Sequence, residues 1–162
     1  MKKRFLGLLI LMTILVVSCK ERKLTTLQIK DTDLTITVYE DEAEHNKNCF
    51  KIFEDSHELQ LGKKGKRVRV IYREIEKQYY PENVELLAQA VTMHDDIKKY
   101  TLKNGAFGVS YQAKPNKKGK VKKGYIFYFK KDNKYYKIYN NETFNYKMKY
   151  FEHIKNVMES IQ

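Results

Sequence analysis

The chain has 162 residues, with 32 Lys or Arg against 20 Asp or Glu, so its formal net charge is +12. This length fits one domain with a single hydrophobic core and argues against a second domain. A basic protein of this kind favours acidic partners and anionic surfaces, whereas its charge says little about its fold.

Residues 1–18 have the features of a secretion signal in the expected order. Lys2, Lys3 and Arg4 precede an apolar run over residues 5–17, as in the charged and apolar regions of such signals. The run of about 13 residues is too short for a spanning helix, which needs roughly 20. We therefore expect residues 1–18 to be removed, which lowers the net charge from +12 to +9.

The end of the apolar run contains the first of the two cysteines. Residues 16–19 read Val-Val-Ser-Cys and resemble the lipobox of bacterial lipoproteins. The resemblance implies that Cys19 receives acyl chains such as palmitate and becomes the first residue of the mature protein. Two or three chains anchor stably, since each buried CH₂ contributes about 0.8 kcal/mol. An ordinary secreted protein with a cysteine at this point is the alternative.

This anchor would place the protein in the cell envelope, tethered to a membrane by residues 19–23 and facing the periplasm or the exterior. Lys20 follows Cys19, where an aspartate would signal retention in the inner membrane, so an organism with two membranes would favour the outer one. Once Cys19 is lipidated, Cys49 has no partner for an internal disulfide. We interpret Cys49 as a small buried hydrophobe, with a reactive thiol or an intermolecular bridge as the alternative.

Residues 24–162 form the predicted domain, and their pattern begins with strands. Apolar residues alternate over residues 24–29 and 34–38, which predicts two strands joined at residues 31–33. Residues 67–75 alternate more clearly and predict another strand. The type of the apolar segment at residues 49–53 is undecided.

A long helix is predicted over residues 81–103. Its apolar residues recur at spacings of 4, 3, 4 and 3 and would form one stripe, and Asn104-Gly105 supplies a stop signal. The stripe consists of Leu86, Ala90, Met93, Ile97 and Tyr100.

Three further strands and a second helix complete the predicted domain. Residues 106–113, 121–130 and 135–139 are separated by turn-like sequences and predict an antiparallel meander with a central middle strand. Phe151, Ile154 and Met158 then recur at helical spacing. The predicted class is α+β, a twisted antiparallel sheet with the long helix and the C-terminal helix packed on it.

The C-terminal third also resembles a known group of domains. An aromatic meander followed by Phe151-x-x-Ile154 and a closing Ser160-Ile161 is similar to the ending of PsbP, Mog1 and DcrB-type domains. The similarity covers residues 105–162 and rests on generic residue types. It implies a non-enzymatic accessory or binding role.

Two short basic runs are the main candidate binding sites. Each contains the tetrad Lys-Lys-Gly-Lys directly before a predicted strand, so both are expected on exposed loops. Such clusters attract phosphate and sulfate groups, which makes a polyanion or an anionic lipid the candidate ligand, with solvated turns as the alternative. The candidate residues are Lys63, Lys64, Lys66, Arg67, Lys117, Lys118, Lys120, Lys122 and Lys123.

Other binding chemistries find weaker support. Residues 123–127 resemble the start of an RNA-binding strand motif, but Ile126 and Lys130 break the pattern, and an exported protein has little reason to meet RNA. We expect no nucleic-acid partner. The acidic stretch at residues 40–45 lacks the spacing of zinc or calcium sites, so we expect a solvated acidic loop, no metal and no cofactor.

No catalytic motif is apparent. His94 and Asp95 would diverge by about 100° on a helix, and His57-Glu58 lacks the second histidine of a zinc-protease helix. The leading hypothesis is a lipid-anchored, non-enzymatic binding or accessory module for an acidic protein, a glycan or lipid headgroups. An immunity lipoprotein that neutralises a toxin in the envelope is the alternative, and a neighbouring toxin gene would favour it.

Overall fold

The computed structural model describes residues 22–30, 32–47, 50–53, 56–64, 67–115, 119, 121–140 and 148–162. These residues form nine strands, three α-helices and one 3-10 turn, which confirms the predicted α+β class. In chain order the elements are β1 Leu24–Gln28, β2 Thr35–Tyr39, α1 Glu40–Asn46, β3 Phe50–Phe53, β4 Ser56–Leu61, β5 Val68–Ile75, the 3-10 turn Lys77–Tyr79, α2 Val84–Ala90, β6 Asp95–Thr101, β7 Phe107–Gln112, β8 Lys123–Lys131, β9 Lys134–Asn140 and α3 Met148–Glu159.

Seven strands form one sheet in the order β3-β4-β5-β9-β8-β7-β6. Every neighbouring pair is antiparallel. The predicted meander is confirmed as β7, β8 and β9, and β8 lies between the other two. Strands β1 and β2 pair separately as a hairpin, which confirms the first two predicted strands.

The main hydrophobic core lies on one face of the large sheet. The β1–β2 hairpin and α3 cover this face, and they meet along β2, where Thr35 and Gln162 exchange two backbone hydrogen bonds of 3.1 Å. From α3, Phe151, Ile154 and Met158 are buried against the sheet, which confirms the predicted C-terminal helix. Full burial of such a side chain contributes about 1.5–3 kcal/mol to stability.

The predicted long helix over residues 81–103 is wrong. Helix α2 spans only Val84–Ala90, with the side chain of Asn83 accepting a hydrogen bond from the Leu86 amide at its start. Four residues of turn and bend follow, and the chain then enters β6 at the edge of the sheet. Asp96 has a φ of 49°, a left-handed conformation that is incompatible with a continuing helix.

The apolar stripe predicted for that helix is also split. Leu86 is 44% exposed and Met93 is 70% exposed, whereas Leu87 and Val91 are buried. Leu87 and Val91 pack on Phe107, Val109, Tyr111 and Tyr128 in a second, smaller core on the opposite face of the sheet. The predicted stripe therefore placed Leu86 and Met93 on the buried side, where the structure has Leu87 and Val91 instead.

Helix α2 covers the second face near β6 and β7, where its packing contacts lie. Over β5 and β9 the same face carries side chains that are half-buried or exposed, among them Ile71, Arg73, Lys137 and Tyr139. No helix in the described ranges is long and apolar enough to cross a membrane.

Candidate functional site

The two basic hairpin turns lie at the same end of the large sheet. Because neighbouring strands are antiparallel, the β4–β5 turn and the β7–β8 turn lie at the same end of the strands. Ile71 of β5 and Ile126 of β8 both pair with Tyr139 of β9, so Val68 and Lys123, each three residues earlier, are level. The turns are three strand positions apart, or about 14 Å. We call this end of the sheet, with both turns, the basic end.

The candidate residues are distributed along these two turns. Lys63 and Lys64 are exposed in the β4–β5 turn, and Arg67 is half-buried before β5. Lys122 and Lys123 are half-buried at the start of β8. The sequence therefore identified turns that the fold brings to one end. The predicted Cys19, Lys66, Lys117, Lys118 and Lys120 lie outside the described residues, as does Cys49.

The N-terminal arm, residues 22–23, lies at the basic end. Arg22 donates from Nη2 to Asp41 Oδ1 at 2.7 Å, and its guanidinium carbon lies 3.8 Å from the centroid of the Tyr39 ring. Arg67 donates from Nη2 to the Asp41 carbonyl at 3.3 Å. The start of α1 therefore contacts both the arm and the β4–β5 turn. Cys19 is three residues before Arg22, a reach of about 10 Å.

Glu42 fixes the β4–β5 turn against the helices. Its side chain is fully buried, and its Oε1 accepts hydrogen bonds from the Gly62 amide and from His153 Nε2. Its Oε2 accepts from the Tyr39 amide at 2.9 Å. Burial alone would raise the pKa of Glu42, but the hydrogen bonds from His153, Tyr39 and Gly62 together hold it below its ordinary value. The carboxylate thus anchors Gly62, which directly precedes Lys63.

The predicted solvated acidic loop at residues 40–45 is wrong, because these residues form most of α1. Glu40, Asp41 and Glu42 occupy its first turn, where negative charge favours the positive end of the helix dipole. That pattern in the sequence could have revealed the helix. The burial of Glu42 could not have been foreseen, since two of its three partners, Gly62 and His153, come from distant segments. Within the described residues, no group of three potential ligands could hold a metal ion.

The two histidines considered for catalysis both stack on tyrosines. His57 is buried with its ring centroid 5.1 Å from that of Tyr72. His94 lies in the turn before β6, not in a helix, with its ring centroid 4.2 Å from that of Tyr111. These contacts give each imidazole a packing role.

No protein-family model, no curated protein and no solved structure matches this chain. The resemblances to bacterial lipoproteins and to PsbP, Mog1 and DcrB-type domains stay predictions.

Proposed function

We propose that this protein is an envelope lipoprotein, anchored through acyl chains on Cys19, that acts as a non-enzymatic binding or accessory module. Its basic end is the proposed binding surface for an acidic protein, a glycan or lipid headgroups. Of these three, anionic lipid headgroups fit the geometry best.

The observation that carries this choice is the shared position of the arm and the two turns. Arg22 and Arg67 contact the same residue, Asp41, and Lys63 and Lys64 precede Arg67 in the same turn. An anchor within about 10 Å of Arg22 would bring these side chains to the headgroup layer of its own membrane. The β8–β9 turn, at the opposite end of the sheet, would then face away from that membrane.

Electrostatics makes this contact favourable once the anchor is in place. A Lys or Arg near an anionic membrane surface contributes about 1 kcal/mol, and the attraction falls off within a Debye length of roughly 8 Å in physiological salt. The two or three acyl chains expected on Cys19 anchor stably by themselves, so the basic side chains would serve to orient the domain on its membrane.

Lipidation is tested by metabolic labelling of the full chain with radioactive palmitate. We expect label in the wild-type protein and none in Cys19→Ser, which should accumulate with its signal attached. Equal labelling of both proteins, or release of an unlabelled mature protein, would remove the lipoprotein assignment.

The basic end is tested by retention of the full chain on heparin in a neutral detergent. We expect salt-sensitive retention that is lost when Lys63, Lys64, Lys122 and Lys123 are changed to Gln. The matched control changes four lysines elsewhere, Lys98, Lys103, Lys130 and Lys134, and should keep most of the retention. Equal losses in the two variants would show that net charge alone is responsible and would contradict a specific basic end.

A further inference from the structure

We infer that a cavity on the open face of the sheet binds a small organic anion. Its carboxylate or phosphate group would lie against Lys137 and Arg73, and its apolar or aromatic part against Tyr128, Tyr79 and Ile75. This inference goes beyond the proposed function, because it uses none of the residues of the basic end.

The cavity lies between the 3-10 turn and the exposed face of β5, β9 and β8. Its volume is about 570 Å³, within the range of roughly 300–1,000 Å³ that is typical of small-molecule sites. The sheet supplies its floor and the 3-10 turn supplies Tyr79 as a wall. The lining residues are Arg73, Glu74, Ile75, Glu76, Tyr79, Tyr128 and Lys137.

Lys137 is the residue that favours an anion. It is half-buried and pairs in register with Arg73 on one side and Tyr128 on the other. Burial and then the positive charge of Arg73 lower the pKa of its ammonium group. Within the described part of the chain no carboxylate forms an ion pair with Lys137, and its Nζ lies 5.1 Å from the centroid of the Tyr139 ring. An anion here would offset the cost of burying the Lys137 charge.

Another cation on the same face provides a contrast. Arg69 forms an ion pair with the buried carboxylate of Glu58, and this bond raises the pKa of the guanidinium. Arg69 is therefore neutralised within the face, while Lys137 lines a cavity large enough for a ligand.

The apolar wall of the cavity is held in place by aromatic packing. Tyr80 contacts Tyr128 and Tyr135, with ring centroids 5.7 Å and 4.9 Å apart. Burial raises the pKa of the Tyr128 hydroxyl, so it stays protonated and can donate a hydrogen bond to an anion. The packed Tyr128 ring suits a flat organic group beside the charged one.

The two carboxylates of the lining already have partners. Glu76 accepts a hydrogen bond from Gln78 Nε2 at 2.8 Å, and Glu74 lies 3.9 Å from Lys134 Nζ. Both glutamates are exposed, so water screens their repulsion of an anion more effectively than it screens the half-buried Lys137. Among the charges of the lining, that of Lys137 is therefore the least screened by water.

Calorimetric titration of the full chain in a neutral detergent tests the inference. The probes are phenyl phosphate, benzoate and inorganic phosphate. We expect one site per chain for at least one aromatic anion, and weaker binding of inorganic phosphate, which lacks the ring. Binding of phenyl phosphate alone would identify a phosphate site, and binding of benzoate alone would identify a carboxylate site.

The Lys137→Gln variant should weaken binding about tenfold or more, since it removes a charge-assisted hydrogen bond. Lys137→Arg should retain binding, and Lys98→Gln, a change on β6, should leave it unaltered. As the pH is raised towards the ordinary lysine pKa, binding should also take up protons in the wild-type protein but not in Lys137→Gln, because an anion raises the lowered pKa of Lys137. Absence of binding of both aromatic anions, or equal affinity in the wild type and Lys137→Gln, would overturn the inference.

Discussion

His153 on α3 lies 2.7 Å from the buried carboxylate of Glu42 on α1, across 111 residues of sequence. The imidazole also stacks on Tyr39, with ring centroids 5.2 Å apart. Through this pair the C-terminal helix, the start of α1 and the β4–β5 turn are fixed to one another. The geometry of the basic end therefore depends on a polar contact inside the fold.

The Glu42→Gln variant should lose about 3 kcal/mol of unfolding free energy, because an amide cannot accept from all three buried donors. Urea denaturation followed by circular dichroism measures the loss. Glu44→Gln is the matched control, since Glu44 is exposed and pairs only with Lys47 among the described residues. Its expected change is within about 0.5 kcal/mol. Equal stability of Glu42→Gln and the wild type would show that the carboxylate is not needed.

The contact between Glu42 and His153 should make the stability of the protein depend on pH. The pKa of Glu42 is lower in the folded protein than its ordinary value of 4.5. The contribution of Glu42 to the free energy of unfolding is therefore fully present above pH 4.5 and is lost as the pH falls towards the pKa of the folded state. The difference in stability between the wild type and Glu42→Gln should shrink as the pH falls below about 4.5, in denaturation curves measured at several pH values. A difference that stays constant over this range would contradict the assignment.

The side chain of Asn46 hydrogen-bonds the backbone of β4 as a neighbouring strand would, so we expect it to stabilise that strand. Its side chain accepts from the Gln60 amide at 2.8 Å and donates to the Gln60 carbonyl at 3.0 Å. Asn46→Ala leaves both groups without these bonds and should cost about 2 kcal/mol. It should also speed hydrogen exchange of the Gln60 amide. Asn156→Ala, an exposed change on α3, should alter neither quantity.

Two adjacent leucines distinguish the observed α2 from the predicted long helix. Leu87 is 3% exposed and Leu86 is 44% exposed. Leu87→Ala should destabilise the protein by about 3 kcal/mol, as expected for a large-to-small change in a core. Leu86→Ala should change stability by less than about 1 kcal/mol. The reverse order would favour the stripe predicted from the sequence.

Much of the architecture could be predicted from local patterns. The β1–β2 hairpin and β5 showed period-two alternation, the meander showed turn-like sequences between its strands, and the structure confirms all three. The long helix failed because the apolar residues of β6 and its preceding turn happen to continue the spacing of α2. Pairing of β6 with β7 satisfies backbone groups along the edge of the sheet, and such a tertiary contact overrides local helical spacing.

The candidate site was only partly predictable for a related reason. The repeated Lys-Lys-Gly-Lys tetrad is visible in the sequence, but the common end of the two turns follows from the strand order. Arg22 was assigned to the tether, and nothing local indicated its contact with Asp41. The pairing of Arg73 with Lys137 depends on the register between β5 and β9, which joins segments far apart in the chain.

The most direct test of the basic end is lysine footprinting of the full lipidated protein in vesicles. An amine-acetylating reagent and mass spectrometry compare phosphatidylcholine vesicles with vesicles that also contain phosphatidylglycerol. We predict protection of Lys63, Lys64, Lys122 and Lys123 on the anionic vesicles only, reversed in 1 M salt, where the Debye length is about 3 Å. Lys130 and Lys134, at the opposite end of the sheet, should stay reactive throughout. Equal reactivity of the first four lysines on both kinds of vesicle would contradict the account.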